Sequence, residues 1–443
     1  MNFVKAMALL AWVSSMWVSP MFAQYGGPAI LIRGQAPSAM TSSQIDFQPF
    51  LTLNATYNSG LGGVSVDPQG KPTNDSSYGG SVSAGISGTH SWKHTRLGLN
   101  YSISAAHYAQ ASFFDGINQS LALGVTHVLS RHSALAFNVS AGMSSSYNQG
   151  LTLISTVPFD PSTLYQPTND FYDNRTIFVS SRVLYTIQKS TRLSFSFAGD
   201  GFLTRRRSTA LYGVGGLGAR ADMQYRLTRR SSVGAGYSFT HFAFNGIFSS
   251  TDVHNFVGSY SVTLTRSTEF TGYGGVARYE TKFAQTVPVD PAIAALIGIG
   301  SANVVVYNNS PTATYGARIS RVVRRGTVFL TGGRGITPGN GLFLTSTSTN
   351  VTGGYSYGGL RHWSLSTAAM YSTSQSIGNV IGNYSNYSVN INAGRKVAPH
   401  TTGVFTFTMT HAGSGDFHNY NKWQYYGTLG LTFSPGDITV RFW

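Results

Sequence analysis

The sequence predicts an all-β chain that closes into a single antiparallel transmembrane β-barrel of about eighteen strands. Three observations lead to this prediction. Only 10% of the 443 residues are charged, against about 25% in soluble domains, and 13% are aromatic. Apolar and polar residues alternate along short segments with a period of two, which is the pattern of a β-strand. The connections between these segments are alternately short and long, as in barrels of outer membranes.

The alternating segments extend from residue 46 to residue 434. Most are long enough to cross a bilayer at a tilt, which takes roughly 9–11 residues. We place them near 46–58, 78–92, 96–106, 119–129, 133–144, 175–188, 192–203, 212–227, 232–244, 253–264, 269–279, 311–322, 327–336, 348–357, 363–373, 384–396, 402–412 and 424–434. The short connections are expected to be periplasmic turns and the long ones extracellular loops. Closure is expected because a bilayer tolerates no unpaired strand edge.

Residues 1–23 have the features of a secretory signal peptide. Lys5 provides a positive charge, an apolar run follows, and Ala23 is suited to cleavage. The apolar run is shorter than the roughly 20 residues that a spanning helix needs. We therefore expect residues 24–45 to start the mature chain, either as a periplasmic segment or as one that folds into the lumen.

With its signal peptide, paired segments, asymmetric connections and aromatic C-terminus, the chain resembles Gram-negative outer-membrane β-barrels of the porin type over about residues 46–434. The resemblance is one of architecture. It implies the outer membrane as the location, contact with membrane lipid and lipopolysaccharide, and insertion by the barrel-assembly machinery. One departure lies at the end, where Pro435 and Gly436 follow the last segment and residues 435–443 form a tail with the terminal aromatic Trp443.

The resemblance implies a passive channel for small hydrophilic solutes, with anionic solutes and saccharides as options. Two alternatives stay open. One is an exopolysaccharide-export barrel that works with a periplasmic secretion complex, and the other is a non-conducting barrel whose loops adhere to partners. An oligomer is compatible with all three.

Strand parity places six charged residues on the lumenal face. Rings of arginine select anions, so an excess of arginine predicts a mild anion preference. The alternative is that neighbouring charges pair and brace the wall. The candidate pore-lining residues are Arg182, Asp200, Arg220, Asp222, Arg226 and Arg318.

Three long-loop segments are further candidates. Arg205, Arg206 and Arg207 begin one loop and would suit lipopolysaccharide phosphates or an anionic solute, with a solvated loop end as the alternative. Loop 280–310 contains an apolar run that is expected either to fold inward as a constriction or to pack on neighbouring loops or a partner subunit. Loop 145–174 is rich in aromatic residues and is a candidate plug or a surface on which sugars stack.

The sequence predicts neither an enzyme nor a cofactor. It has no cysteine, so thiolate metal sites and disulfides are excluded, and it has no His-Glu-x-x-His zinc motif. Lys and Arg outnumber Asp and Glu by 30 to 15. These bases are concentrated in the short turns and form no groove with stacking aromatics, so we expect no nucleic-acid partner.

Overall fold

The computed structural model describes residues 44–59, 76–109, 115–143, 176–207, 212–298, 300–338, 344–358, 362–377, 383–414, 422–435 and 438–441. The strands in these ranges are β1 (Gln44–Asn58), β2 (Ser77–Ser91), β3 (Thr95–Tyr108), β4 (Gly116–Ser130), β5 (Ser133–Met143), β6 (Thr176–Gln188), β7 (Leu193–Arg206), β8 (Gly213–Arg226), β9 (Ser231–Asn245), β10 (Ser249–Thr265), β11 (Thr268–Pro288), β12 (Ser301–Val323), β13 (Gly326–Thr337), β14 (Ser346–Tyr357), β15 (Trp363–Ser376), β16 (Tyr384–Ala398), β17 (Thr401–Ser414), β18 (Lys422–Phe433) and β19 (Ile438–Arg441). A short helix, α1 (Pro291–Ile297), lies between β11 and β12.

The sheet closes on itself. Each strand from β1 to β17 pairs antiparallel with the next one in the chain, and β18 pairs with β1 from Leu51 opposite Phe433 to Asn58 opposite Tyr426. Eighteen strand positions therefore surround the lumen, and β19 is an additional short strand. The predicted all-β class, single barrel and strand number are confirmed.

The last strand position is interrupted and then resumes. β19 pairs with the start of β1, and Ile438 lies opposite Phe47. Residues 438–441, which the sequence analysis assigned to a tail, thus continue the wall. Residues 1–23, which are the expected signal peptide, residues 24–43 and Trp443 lie outside the described residues.

A proline lies opposite this interruption. Pro49 of β1 falls between the part that pairs with β18 and the part that pairs with β19, and the register shifts by one residue there. Such a shift is a β-bulge. Ser434 Oγ donates to the Pro49 carbonyl at 3.1 Å and connects the two sides. Proline has no backbone N–H group. The bulge therefore leaves no N–H donor of residue 49 without a partner.

The two faces of the wall differ as the alternation predicts. Large apolar side chains are exposed on the outside, with Leu217 at 69%, Phe256 at 60% and Leu53 at 53%. Small polar side chains such as Thr52 and Ser388 are buried on the inside. An apolar outer face around a closed barrel suits the hydrocarbon phase of a bilayer.

Many large inward-facing side chains lean over the neighbouring strand. The residue directly opposite them on that strand is a glycine, and a Cβ on it would collide with the side chain. A Cβ on Gly216, for example, would lie 2.6 Å from Phe202 Cζ. These cross-strand pairs are Phe50–Gly85, Asn54–Gly430, Asn138–Gly124, Phe178–Gly142, Asp200–Gly218, Phe202–Gly216, Asp222–Gly236, Gln224–Gly234 and Phe329–Gly354. Part of the demand for 51 glycines therefore comes from the inner wall.

The segment expected as loop 280–310 continues the wall as a hairpin. β11 has 21 residues and β12 has 23, and they pair as far as Pro288 opposite Ser301. At the tip, Asp290 Oδ1 accepts from the Ala292 amide at 2.8 Å and starts α1. Gly298 ends this helix in the left-handed region with φ of 68°. Of the two arrangements expected for this segment, the inward fold is therefore wrong.

The glycine pairing makes a stability prediction. Gly216→Ala places a Cβ against Phe202 and the His241 carbonyl, so we expect a loss of about 1–3 kcal/mol from overpacking. The measurement is the temperature at which the folded band disappears in gel electrophoresis of unboiled protein. Gly274→Ala is the matched control because its Cβ would meet nothing within 4 Å. Equal transition temperatures for the two variants would contradict the account.

Candidate functional site

The inner face of β6, β7 and β8 carries a strip of charged residues. Arg220 and Asp222 are two residues apart on β8 and therefore share this face. Arg220 Nε lies 2.6 Å from Asp222 Oδ2, and both side chains are 15% exposed. Ser196 Oγ donates to the same carboxylate at 3.4 Å. This geometry favours the interpretation that the pair braces the wall.

A second pair of charges continues the strip. Arg182 of β6 and Asp200 of β7 are direct cross-strand partners. The Asp200 carboxylate lies over Gly218, where a Cβ would be 2.6 Å from Oδ2. The strip thus holds two bases and two acids in close proximity. Neighbouring opposite charges reduce the potential that a passing ion experiences, which weakens the predicted anion preference.

Arg318 lies apart from the strip on β12. It pairs across strands with Thr271 and Thr331, so the three side chains share the inner face. Its guanidinium carbon is 5.6 Å from the centre of the Phe329 ring, within the range of a cation–π contact. Arg318 is therefore the predicted pore residue that is separated in the sheet from the two aspartates.

Arg226 has the inward parity but lies at the end of β8 that meets a short turn. Its Nε donates to the Thr228 carbonyl at 3.0 Å, and Nη2 donates to the Arg229 carbonyl at 3.3 Å. Both bonds tie the side chain to the turn that follows the strand. The structure places Arg226 at the rim of the barrel, where it stabilises the β8–β9 connection.

The three consecutive arginines do not share a face. Arg205 is exposed on the outward side of β7, and Arg207 is exposed after the strand ends. Arg206 has the opposite parity, and its Nε donates to the Tyr212 carbonyl at 3.2 Å. Arg206 therefore braces the β7–β8 connection, and only its two neighbours are oriented for an external anion.

One hairpin leaves the barrel wall before it ends. β12 pairs with β13 only as far as Tyr315 opposite Arg334, whereas β13 and β14 stay paired to Thr337 opposite Ser346. The end of this hairpin is no longer held beside β12. We call its described residues, 335–338 and 344–346, the inner tip.

The inner tip packs against the inside of the wall. Ile336 and Leu344 belong to a buried apolar cluster whose other members come mainly from the inward faces of β7 to β11. Those members are Phe202, Val214, Phe242, Phe244, Val253, Ala277 and Tyr279. Thr345 is fully buried, and its Oγ1 is hydrogen-bonded to Thr251 Oγ1 at 2.6 Å. The inner tip therefore occupies part of the lumen and narrows it.

The constriction at the inner tip is not among the features that the sequence predicts. The options for an inward fold are loop 280–310 and the candidate plug 145–174. Residues 145–174 lie outside the described residues, and residues 280–310 form the end of the β11–β12 hairpin. The inner tip appeared only as a connection between two strands. Its one signal is that apolar residues, Ile336 and Leu344, flank the turn sequence that begins at Pro338.

A short motif of hydrolases also occurs in the chain. Residues 354–358 read Gly-Tyr-Ser-Tyr-Gly, which matches the Gly-x-Ser-x-Gly pattern. In hydrolases that pattern forms a sharp turn from a strand into a helix. Here Ser356 lies within β14 and pairs with Thr327 and Ser366 of the adjacent strands. The local structure is therefore not a nucleophile elbow.

The described ranges contain no group of three or more His, Asp or Glu side chains placed to hold a metal ion. No helix among the described residues is both long and apolar enough to cross a membrane.

Comparison with known proteins yields structural similarity only. No family model matches the sequence, and no curated protein matches it. OprD of Pseudomonas aeruginosa is 10% identical with a TM-score of 0.39, covering 91% of this chain and 98% of that one. A BenF-like porin from Pseudomonas fluorescens is 8% identical with a TM-score of 0.41, covering 89% and 99%. The ferric-catecholate import receptor Fiu from E. coli is 9% identical with a TM-score of 0.42, covering 86% and 67%. All three TM-scores are below 0.5, so these similarities carry no functional argument.

The position of the inner tip can be tested by cross-linking. The chain has no cysteine, so the double variant Thr251→Cys/Thr345→Cys introduces the only two thiols. The contact between the two hydroxyls puts the thiols within reach of a disulfide, which we expect to form on mild oxidation. The measurement is loss of thiol alkylation in mass spectrometry.

The control for this cross-link is Thr263→Cys/Thr345→Cys. Thr263 has the same parity on β10 but lies close to the opposite end of that strand. Its thiol should remain free. A disulfide in the control, or none in the test pair, would show that the tip does not rest against the extracellular half of β10.

Proposed function

We propose that the protein is an outer-membrane channel through which small hydrophilic solutes diffuse. The observation that carries the proposal is the closed wall of eighteen strand positions, with small polar side chains inside and apolar side chains outside. Barrels of 16–18 strands are wide enough to hold an aqueous path, whereas about 8 strands are filled by their own side chains. In this proposal, residues 1–23 direct export, and the barrel-assembly machinery inserts the chain.

The inner tip sets the size of the solute. It is fixed to the wall by the apolar cluster and by the Thr251–Thr345 hydrogen bond, so it reduces the free cross-section permanently. A narrowed lumen favours small solutes over a polymer. We therefore favour diffusion of small molecules over polysaccharide export.

The charges inside the lumen support weak ion selectivity. Arg182 and Arg220 have Asp200 and Asp222 as near neighbours, so their fields largely cancel outside the wall. Arg318 contributes a positive charge elsewhere on the inner face. We propose a slight preference for anions that depends on Arg318.

Two charge substitutions should shift the selectivity in opposite directions. Asp222→Asn leaves Arg220 without its ion-pair partner and should increase the anion preference. Arg318→Gln removes the separate positive charge and should reduce the preference. The measurement is the reversal potential of single channels in a potassium chloride gradient across a planar bilayer.

Arg205→Gln is the control for these variants, because it removes the same charge from the outward face. Its reversal potential should equal that of the unsubstituted protein. A shift in Arg205→Gln as large as that in Arg318→Gln would show that the surface, not the lumen, determines selectivity. Absence of conductance in correctly folded protein would refute the channel itself.

A barrel that presents a binding surface is the second candidate, and one observation favours it. Leu296 of α1 is 86% exposed and Tyr307 of β12 is 71% exposed, on a hairpin that extends beyond its neighbours. Exposed apolar residues mark contact surfaces more often when they cluster. Leu296→Ser/Tyr307→Ser should reduce cell-surface adhesion under this second function and should leave conductance unchanged.

A further inference from the structure

A cavity lies between the inner tip and the wall of β7 to β11. Its apolar side is formed by Phe202, Phe242, Val253, Ala277 and Ile336. Its polar side carries Ser238, Thr240, Asn255 and Thr314, together with the charged residues Asp200 and Arg220. The cavity thus offers an apolar surface and neutral hydrogen-bonding groups to one bound molecule.

Asn255 is the polar group that most needs a partner in this cavity. It is 7% exposed, and its Oδ1 atom is buried with no hydrogen-bond partner among the described residues. Its cross-strand neighbours on β9 and β11 are Ser238 and Ala277. A buried carbonyl oxygen without a donor costs about 1–3 kcal/mol. A small rotation of the Asn255 side chain toward the cavity would let a ligand hydroxyl supply the missing donor.

The charged groups that line the cavity do not favour an ionised ligand. Arg220 is held by Asp222 at 2.6 Å, and the strip has as many acids as bases. An ionised ligand would lose water on entry and would have to compete with this existing ion pair. A neutral ligand meets the hydroxyl and amide groups without that cost.

We infer that this cavity binds a neutral solute that has one apolar face and at least one hydroxyl donor. The apolar face lies on the Phe242 side, and the hydroxyl bonds to Asn255. This inference rests on the proposed channel function and specifies the class of solute that pauses at the constriction. Binding there would concentrate such a solute beside the inner tip.

Three glycosides test the inference because each differs in one property. Phenyl β-glucoside has the apolar ring and the hydroxyls, methyl β-glucoside lacks the ring, and phenyl β-glucuronide has a carboxylate in place of the C6 hydroxymethyl group. Their dissociation constants are measured by calorimetry with the protein in lipid nanodiscs, against empty nanodiscs. We expect phenyl β-glucoside to bind most tightly. Equal or tighter binding of the glucuronide would overturn the inference in favour of an anion site at Arg220.

Substitutions then locate the site. Asn255→Leu keeps the size of the side chain and removes the acceptor, so binding of phenyl β-glucoside should weaken roughly three- to tenfold. The control is Asn386→Leu, which changes an inward-facing, buried asparagine of β16, outside the cavity, and should leave binding unchanged. Unchanged binding in Asn255→Leu, or an equal loss in both variants, would overturn the inference.

A second variant guards against misfolding. If Asn255→Leu does not give the heat-modifiable folded band, Val253→Thr is tested instead. This substitution removes apolar surface with little change in volume. It should weaken phenyl β-glucoside and leave methyl β-glucoside unaffected; equal effects on both would overturn the inference. Conductance is measured on the same preparations. Conductance without glycoside binding refutes this site alone, whereas binding without conductance refutes the channel and leaves the site.

Discussion

Hydrogen bonding between β1 and β18 is the constraint on which the rest of the structure depends. In hydrocarbon, each unpaired backbone N–H or carbonyl group costs several kcal/mol, so a sheet that crosses a bilayer must close. Closure fixes which face of every strand points to the lumen and which points to lipid. A shift of one residue in the strand pairing would exchange the two faces. The one-residue bulge opposite Pro49 is compatible with closure because it lies where β18 ends and β19 continues the pairing.

The width of the lumen results from two opposing features of the inner wall. Glycines such as Gly216 and Gly218 let Phe202 and Asp200 lie along the wall, which keeps side chains out of the path. The inner tip does the reverse, because it brings Ile336 and its neighbours into the barrel. One region of wall therefore carries both the ion pairs and the narrowing. That coincidence is why solute size and solute chemistry are expected to be selected at the same level.

Much of the fold was predictable because its signals are local. A period of two and the rhythm of turns gave the strands, and parity alone placed Arg220 and Asp222 on one face. The inner tip was not predictable, because it depends on contacts such as Thr345 with Thr251, which are distant in the sequence. The extension of the β11–β12 hairpin beyond residues 279 and 311 was not predictable, because its apolar run resembles a loop that needs burial. Strand parity also does not show that the Arg226 side chain donates hydrogen bonds to the turn that follows its own strand.

The central claim is that alternate residues of each strand face water and lipid. Thr331 and Leu330 of β13 test it most directly, since they are adjacent and have opposite parity. Each is replaced by cysteine in the cysteine-free chain, and a charged, membrane-impermeant thiol reagent is applied to the membrane-inserted protein. The account predicts rapid modification at position 331 and protection at position 330. Modification at 330, or protection at both positions, would contradict it.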